Sequence, residues 1–365
     1  MSNNTPLQLS ECKTCKIDLK VPQKELISEI KQILQETQSH KASVMCEDFW
    51  NWQYVHTPGN HSCVYVTKMN DRIVGYYHVP IYEGKIAGQN ALIAMIQDVA
   101  ISPTVRGKGI FTQLATFANQ DIDAQPIAAC YTFPNHKSIH TFLKYNNYTI
   151  IDVLKTYLIL VDAKVLLRKK VKIPLLSGIM GYPVNLLFRL PRVQDKDGIA
   201  EIDEFDASVE KLYHTYLQRY SNYVLRDKRY LTWRYKNRPH STYFTIGYYE
   251  ALNLTAVATF KIDIMFEVPT LLLMDYAFTN PNHFFELIKY APLQGTKYTS
   301  DKIGIIFTAM CDKHFTTMRK PFFLSVPQRL NPRKLHLLTR PVCSNSPTIQ
   351  DSHQWFVTLG DWDVF

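Results

Sequence analysis

The stretch VAISPTVRGKGIFTQL, residues 99–114, sets two glycines and a basic pair between an apolar run and an amphipathic one. Upstream, residues 92–101 are apolar enough for a buried strand. Downstream, Phe111, Leu114, Ala115 and Ala118 recur at helical spacing. The local order is therefore strand, glycine loop, helix. Such a loop can aim several backbone N–H groups at an anion, with the helix N-terminus adding favourable electrostatics. Gly107 and Gly109 permit close backbone approach and unusual dihedrals, while Arg106 and Lys108 add charge. A tight turn with surface lysine and arginine is the plainer alternative, and the surrounding sequence has to decide between them.

Around this stretch the elements read as α/β. Residues 22–38 place Leu26, Ile27, Ile30, Ile33 and Leu34 on one helical stripe. Residues 62–79 give two β-rich runs separated by Asn70-Asp71, a pair suited to a hairpin turn. Residues 127–131 read as a strand, 135–145 as a helix and 148–161 as further strand. Segment 164–192 changes character: a basic cluster precedes an apolar stretch broken by Pro174, Gly178, Gly181 and Pro183. It is read as a linker that covers a neighbouring domain, and its basic-then-apolar order leaves a peripheral membrane contact open.

The chain also repeats itself. FWNWQYVHTPGNHSCVYV (49–66) matches YLTWRYKNRPHSTYFTIG (230–247), aligning Trp52 with Trp233, Tyr54 with Tyr235 and Pro58 with Pro239. A weaker echo sets MIQDVAISP (95–103) against LLMDYAFTN (272–280), and so Asp98 against Asp275. The second copy continues AFTNPNHFFELIKYA without the Arg-Gly-Lys-Gly sequence. The expected organisation is an N-terminal extension with its helix (1–40), a first domain (41–163), the linker (164–192) and a second domain lacking the loop (193–365). The tryptophans are expected to pack a hairpin core, with Trp52, Tyr54, Trp233 and Tyr235 as alternative lining of an acceptor cleft.

Composition bounds the function. Against 32 acidic residues stand 41 Lys and Arg, a formal charge of +9, which favours anionic ligands such as a phosphorylated cofactor or a nucleotide-sugar. The basic residues are dispersed and no nucleic-acid module surrounds them, so nucleic acid is not an expected partner. Seven scattered cysteines argue for free thiols in a reducing compartment. The Cys12/Cys15 pair has no second pair to complete a metal site, so no metal is expected. There is no N-terminal apolar h-region, and no run of about 18 apolar residues of the kind that spans a membrane. A cytoplasmic enzyme is the expectation.

Taken together, VAISPTVRGKGIFTQL and FPNHKSIHTFLKYNNYTII (133–151) resemble the acetyl-CoA motif and the following helix and strand of the GCN5-related N-acetyltransferase (GNAT) superfamily. Arg106 and Gly109 fit the family pattern; Phe111 stands where the family has Gly or Ala. The resemblance implies two tandem GNAT-like domains of mixed α/β sheet, the second degenerate, and acetyl-CoA as donor. It implies that Val99, Ala100 and Ile101 bond pantetheine through the backbone. The N–H groups of Gly107, Lys108, Gly109, Ile110, Phe111 and Thr112 would hold the pyrophosphate, Asn135 would contact the cofactor, and a primary amine would attack the thioester. Asp98 is then the candidate base or relay, with a strand anchor as its structural alternative. The family's tyrosine donor would fall at Leu143, leaving Tyr145, or His140, as the candidate acid. The layout also resembles acetyltransferases of the enhanced-intracellular-survival group, in which a free C-terminal carboxylate, here that of Phe365, can act as base. Similarity to polysaccharide-linked acetyltransferases implies an amino-sugar or nucleotide-amino-sugar acceptor. A non-catalytic acyl-CoA-binding or scaffold protein is the competing class, and the oligomeric state is not legible.

Overall fold

A computed structural model of the chain describes residues 12–20, 24–37, 39–165, 190–191, 193, 197–265, 267–318, 320–329, 334–344 and 346–362. The proposed linker therefore falls, over residues 166–189, outside the described residues, and so does Phe365. The architecture is mixed α/β with two mixed sheets. Contacts divide it into two compact units. The first holds the chain up to Asp152 together with Leu335–Ser352; the second holds Val153–Lys334 together with His353–Asp363.

In the first unit the helices α1 (Lys24–Thr37), α2 (Ser39–Val44) and α3 (Glu47–Trp50) lead through a π-helical turn, Asn51–Val55. The buried stripe of α1 is Leu26, Ile30, Ile33 and Leu34, as its spacing predicts. The strands are β1 (Cys12–Lys16), β2 (Ser62–Met69), β3 (Arg72–Ile86), β4 (Gln89–Ile101), β5 (Ile127–Thr132) and β6 (Thr149–Val153). Asn70 and Asp71 both adopt positive φ, 49° and 61°, and close the β2–β3 hairpin. Helix α4 (Ile110–Asp123) buries Leu114, Ala115 and Ala118 on the sheet, and α5 (Ile139–Tyr145) buries Phe142.

The second unit contains β7 (Lys155–Leu160), β8 (Ile199–Glu201), α6 (Ala207–Leu217), β9 (Tyr223–Val224), α7 (Lys228–Tyr235), β10 (Tyr243–Glu250), β11 (Asn253–Met265), β12 (Val268–Phe278), α8 (Pro281–Gly295), β13 (Ile305–Met310), α9 (Lys313–Met318) and β14 (Leu324–Ser325). A last strand, β15 (His336–Pro341), belongs to the first unit. The order β1-β2-β3-β4-β5-β15-β6 in one sheet matches β8-β10-β11-β12-β13-β7-β14 in the other. Each sheet contains a parallel pair at the corresponding place, β4 with β5 and β12 with β13.

Two features differ from the sequence reading. The compact units are not the contiguous segments 41–163 and 193–365, because β7 pairs antiparallel with β13 and β15 with β5. The run 148–161 is thus two strands, parted at Leu154, that enter different sheets. The repeated tryptophans lie on short helices rather than a hairpin: Trp52 in the π-helical turn and Trp233 in α7, both buried. Among the described residues no helix is long and apolar enough to cross a membrane.

The second unit is held by a buried ion cluster. Arg226 Nε lies 2.7 Å from Asp275 Oδ2, and one of its terminal nitrogens lies 2.6 Å from Asp361 Oδ2. All three side chains are essentially inaccessible. Removing the cation from such a cluster leaves two buried carboxylates facing each other. Arg226→Ala is expected to cost about 3–5 kcal/mol, read as a lowered midpoint in chemical denaturation of the full chain. Arg226→Lys should recover only part, because one ammonium cannot replace the guanidinium fork.

Candidate functional site

Strands β4 and β5 run parallel from Leu92↔Ile127 to Ile96↔Thr132, and there they part. The Thr132 hydroxyl donates to the Ile96 carbonyl at 2.9 Å and caps the last shared rung. Beyond it, residues 97–101 of β4 remain paired with β3 alone. This leaves a strip of backbone on the β5 side, spanning Val99, Ala100 and Ile101. The side chains of Val99 and Ile101 pack toward the core cluster with Leu114 and Ala115, while Ala100 is buried.

The strip leads directly to the glycine loop. A short 3-10 turn, Pro103–Val105, buries Val105 and hands the chain to Arg106, whose Nε donates to the Ile101 carbonyl at 3.3 Å. Gly107 and Gly109 have φ of 76° and 78°. An L-residue there would sit in the left-handed region at about 1–2 kcal/mol. Space is no obstacle at Gly107, since a Cβ would meet nothing within 4 Å. The first helical bond of α4 runs from Gln113 N–H to Gly109. Among the described residues none accepts from the N–H groups of Gly107, Lys108, Gly109, Ile110, Phe111 or Thr112, and Gly109 offers no side-chain cap. Residues 106–109 are exposed. Phe111 does not obstruct the loop: its ring packs edge-on to Phe142, 5.7 Å between centroids, within the core.

The second unit builds the same place differently. Thr308 donates to the Leu273 carbonyl at 2.9 Å, so β12 and β13 part after an equivalent rung. The helix that follows, α8, begins at once: Asn280 caps it by accepting from Asn282 N–H, and Pro281 has no N–H to offer. The opening itself is filled. Val357 exchanges backbone hydrogen bonds with Cys311 at 2.9 and 3.0 Å, and Gly360 lies against the Met274 carbonyl. A Cβ on Gly360 would come within 3.1 Å of that carbonyl and 2.2 Å of the Tyr235 hydroxyl, so only glycine fits. Among the described residues the amides of 107–112 in the first unit find no acceptor, whereas the second unit caps the start of α8 and brings residues 357–360 into the corresponding place.

Asp98 lies on the stretch of β4 past Ile96, at a bulge between β3 and β4, with φ of 50°. Its Oδ2 accepts from Tyr54 O–H at 3.0 Å and Gln53 Nε2 at 3.1 Å, and Lys41 Nζ stands 3.2 Å away. Burial, and after it the Asp98 charge, holds the Tyr54 phenol well above its ordinary range, so it stays a donor. The Tyr76 hydroxyl in turn donates to Tyr54. In the second unit Tyr235 donates to Asp275 at 3.0 Å beside the Arg226 guanidinium. Tyrosine, aspartate and cation therefore recur where the opening is filled, which supports the strand-anchor reading of Asp98. The tyrosines Tyr54 and Tyr235 serve these carboxylates.

The remaining sequence-derived residues separate. Asn135 turns its Oδ1 back to the N–H groups of Lys137 and Ser138, at 2.9 and 3.1 Å, and so starts the turn into α5. Tyr145 ends α5 half exposed, with Lys144 Nζ 5.1 Å from its ring, and no contact brings it to Asp98. Cys130 on β5 is fully buried, and burial pushes its thiol up to about 11, which leaves no thiolate near the opening at neutral pH. Sequence reasoning missed Ser62 and His78, whose Oγ and Nε2 are 2.8 Å apart beside Asp98. The signal was their placement on one face of the hairpin, where Val64 pairs with His78 and Ser62 with Pro80.

Residues 18–149 match a protein family described as an acetyltransferase (GNAT) domain. No curated protein sequence matches the chain. Solved structures are similar in fold. A probable N-acyltransferase from Enterococcus faecalis V583 aligns at TM-score 0.60 and 14% identity, over 91% of this chain and 72% of that one. A GCN5-related N-acetyltransferase from Anabaena variabilis ATCC 29413 aligns at TM-score 0.58 and 14% identity, over 91% and 73%. The Saccharomyces cerevisiae N-myristoyltransferase with bound myristoyl-CoA aligns at TM-score 0.60 and 13% identity, over 93% and 84%.

If the tyrosine–aspartate pair is an anchor in both units, Tyr54→Phe and Tyr235→Phe should each cost about 1.5–3 kcal/mol, the range for a hydrogen bond to a charged group. Denaturation of the full chain measures this. An unchanged stability for Tyr54→Phe would remove the anchoring role from the first unit.

Proposed function

We propose that this chain, which belongs to the GCN5-related N-acetyltransferase superfamily through the domain at residues 18–149, is an acyl-CoA-dependent N-acyltransferase working from its first unit. The observation that carries this reading is the loop into which β4 runs after it leaves β5: among the described residues the amides of 107–112 find no acceptor. Pantetheine is an extended chain with two amides, and it fits the edge at Val99, Ala100 and Ile101. Pyrophosphate fits the amides, with Arg106 and Lys108 supplying charge. Asn135 flanks the β5 end of the opening, where its amide nitrogen is available to the cofactor.

The reaction joins an amine nitrogen to the acyl carbon as the carbon–sulfur bond breaks. The amine must first lose a proton, the carbonyl oxygen gains from N–H donors, and the departing thiolate takes up a proton. Acetyl-CoA is the donor we favour, on the family's description, and the myristoyl-CoA held by the yeast neighbour makes acyl length the first variable to test. The surplus of basic residues favours an acceptor amine that also carries phosphate, such as a nucleotide-amino-sugar.

Calorimetry with acetyl-CoA and myristoyl-CoA should show binding of at least one by the full chain. Gly109→Val, which closes the left-handed turn and crowds the amides, should weaken that affinity by about tenfold or more. Arg106→Ala and Lys108→Ala should weaken it less and leave melting unchanged. Equal affinity in wild type and Gly109→Val would remove the cradle. Thiol release on amino-sugars, polyamines, aminoglycosides or peptides would separate an enzyme from a binding protein.

A further inference from the structure

The first unit has a second concavity that the donor-side reading does not use. A cavity of about 630 Å³ is bordered by Lys16, Leu19, Lys20, Tyr54, His56 and Ser62. Behind Ser62 the wall continues inward to a fully buried imidazole: Ser62 Oγ is 2.8 Å from His78 Nε2. The His78 ring packs on Tyr54 with centroids 4.1 Å apart. Its Nδ1 is 3.2 Å from Gln97 Nε2 and 3.7 Å from Asp98 Oδ2.

With the Gln97 amide turned end for end, the hydrogen bonds leave Nε2 as the basic nitrogen. Gln97 Oε1 is buried without a partner among the described residues. Turning that amide end for end sets Oε1 against Nδ1 and satisfies both groups. Nδ1 then carries the proton, and the Nε2 lone pair faces the Ser62 hydroxyl. A serine at a cavity wall with an imidazole lone pair behind it can pass a proton inward.

This pair is particular to the first unit. In the second, the β10–β11 pair that corresponds to Val64↔His78 is Thr245↔Thr259, whose hydroxyls bond each other at 3.0 Å. The sheet there is held without an imidazole, while the tyrosine, aspartate and cation are kept. Tyr54 links the cavity to the donor side: it borders the cavity, and its hydroxyl reaches Asp98 on the stretch of β4 past Ile96.

We propose that this cavity receives the acceptor, a protonated primary alkylamine, and that Ser62 and His78 remove its proton. This rests on the acyltransferase reading above. One ammonium N–H passes its proton to Ser62 Oγ as the Ser62 proton moves to His78 Nε2. The amine recovers its lone pair and attacks the thioester; the nitrogen–carbon bond forms, the carbon–sulfur bond breaks, and the proton the nitrogen then sheds passes to the departing thiolate, which leaves as the free thiol. The imidazolium directs Nδ1–H at Gln97 Oε1 and the Asp98 carboxylate, on which Lys41, Tyr54 and Tyr76 also converge directly or in series. Its proton returns to solvent through Ser62. Ser62 touches the acceptor, and His78 acts through it.

The test compares wild type, Ser62→Ala and His78→Gln in thiol release with ethylamine and with 2,2,2-trifluoroethylamine, using whichever acyl-CoA binds. The two amines share a skeleton, but only ethylamine is largely protonated at neutral pH. Both variants should lose about 100-fold in kcat/KM on ethylamine, the lower end of what general-base catalysis contributes. They should lose less than about tenfold on trifluoroethylamine, with KM for acyl-CoA unchanged. Raising the pH should recover much of the ethylamine rate in the variants. Equal losses on both amines, or none, would overturn the proton-transfer role. Acyl-CoA binding without thiol release from either amine in wild type would overturn the acceptor cavity. Absence of acyl-CoA binding would instead overturn the wider reading. Ser62→Ala, a half-buried and smaller replacement, keeps the comparison valid if His78→Gln melts early.

Discussion

Two parallel strands that part leave backbone amides and carbonyls with no partner, and most of what distinguishes the two halves of this chain follows from how that debt is met. In the first unit, β4 and β5 separate past Ile96↔Thr132, and β4 runs on into a loop whose amides find no acceptor among the described residues. In the second, the same parting of β12 from β13 is closed by residues 357–360, and Asn280 and Pro281 remove the free amides from the helix start. An unsatisfied buried amide costs about 1–3 kcal/mol, so an opening kept unfilled needs a ligand or water to complete it.

The internal repeat acts as a control within one molecule. What both copies keep is required by the shared sheet: a threonine hydroxyl capping the last parallel rung, a bulge, and a tyrosine and a cation on its aspartate. What only one copy keeps has no such explanation. Gly107, Gly109, Ser62 and His78 fall in the second class. Asp98 falls in the first, so its likeness to a catalytic carboxylate in position is also what an anchor at a sheet bulge would give.

Much of this was legible locally. The α1 stripe, the Asn70-Asp71 turn, the buried β4 run and the glycine loop each follow from periodicity or turn chemistry over a few residues, and the repeat marked the second copy. The exchanged strands were not legible. Thr149–Val153 and Lys155–Leu160 are separated by one residue, Leu154, and nothing in their composition says that the second pairs with β13 instead of β5. Strand partners are chosen by long-range burial. The Ser62–His78 pair was hidden for a related reason: the residues meet only when the hairpin register brings β2 and β3 together, and neither belongs to a motif. The tryptophans were misassigned to a hairpin because aromatic-rich runs favour strand by propensity, whereas Trp52 and Trp233 are turned into the core by short helices.

The degree of burial explains why one cation differs from the other. Asp275 is wholly inaccessible, enclosed by the segment that fills its opening, and it is matched by an arginine that also engages Asp361 of that segment. The guanidinium thus ties the filler to the sheet. Asp98 retains slight exposure, 7% of its side chain, and is matched by a lysine whose ammonium also lies against Phe49. A fork that clamps two anions suits a closed opening. The choice of arginine beside the second bulge is thus coupled to the segment that fills the neighbouring opening, because the same guanidinium holds both the sheet and that segment.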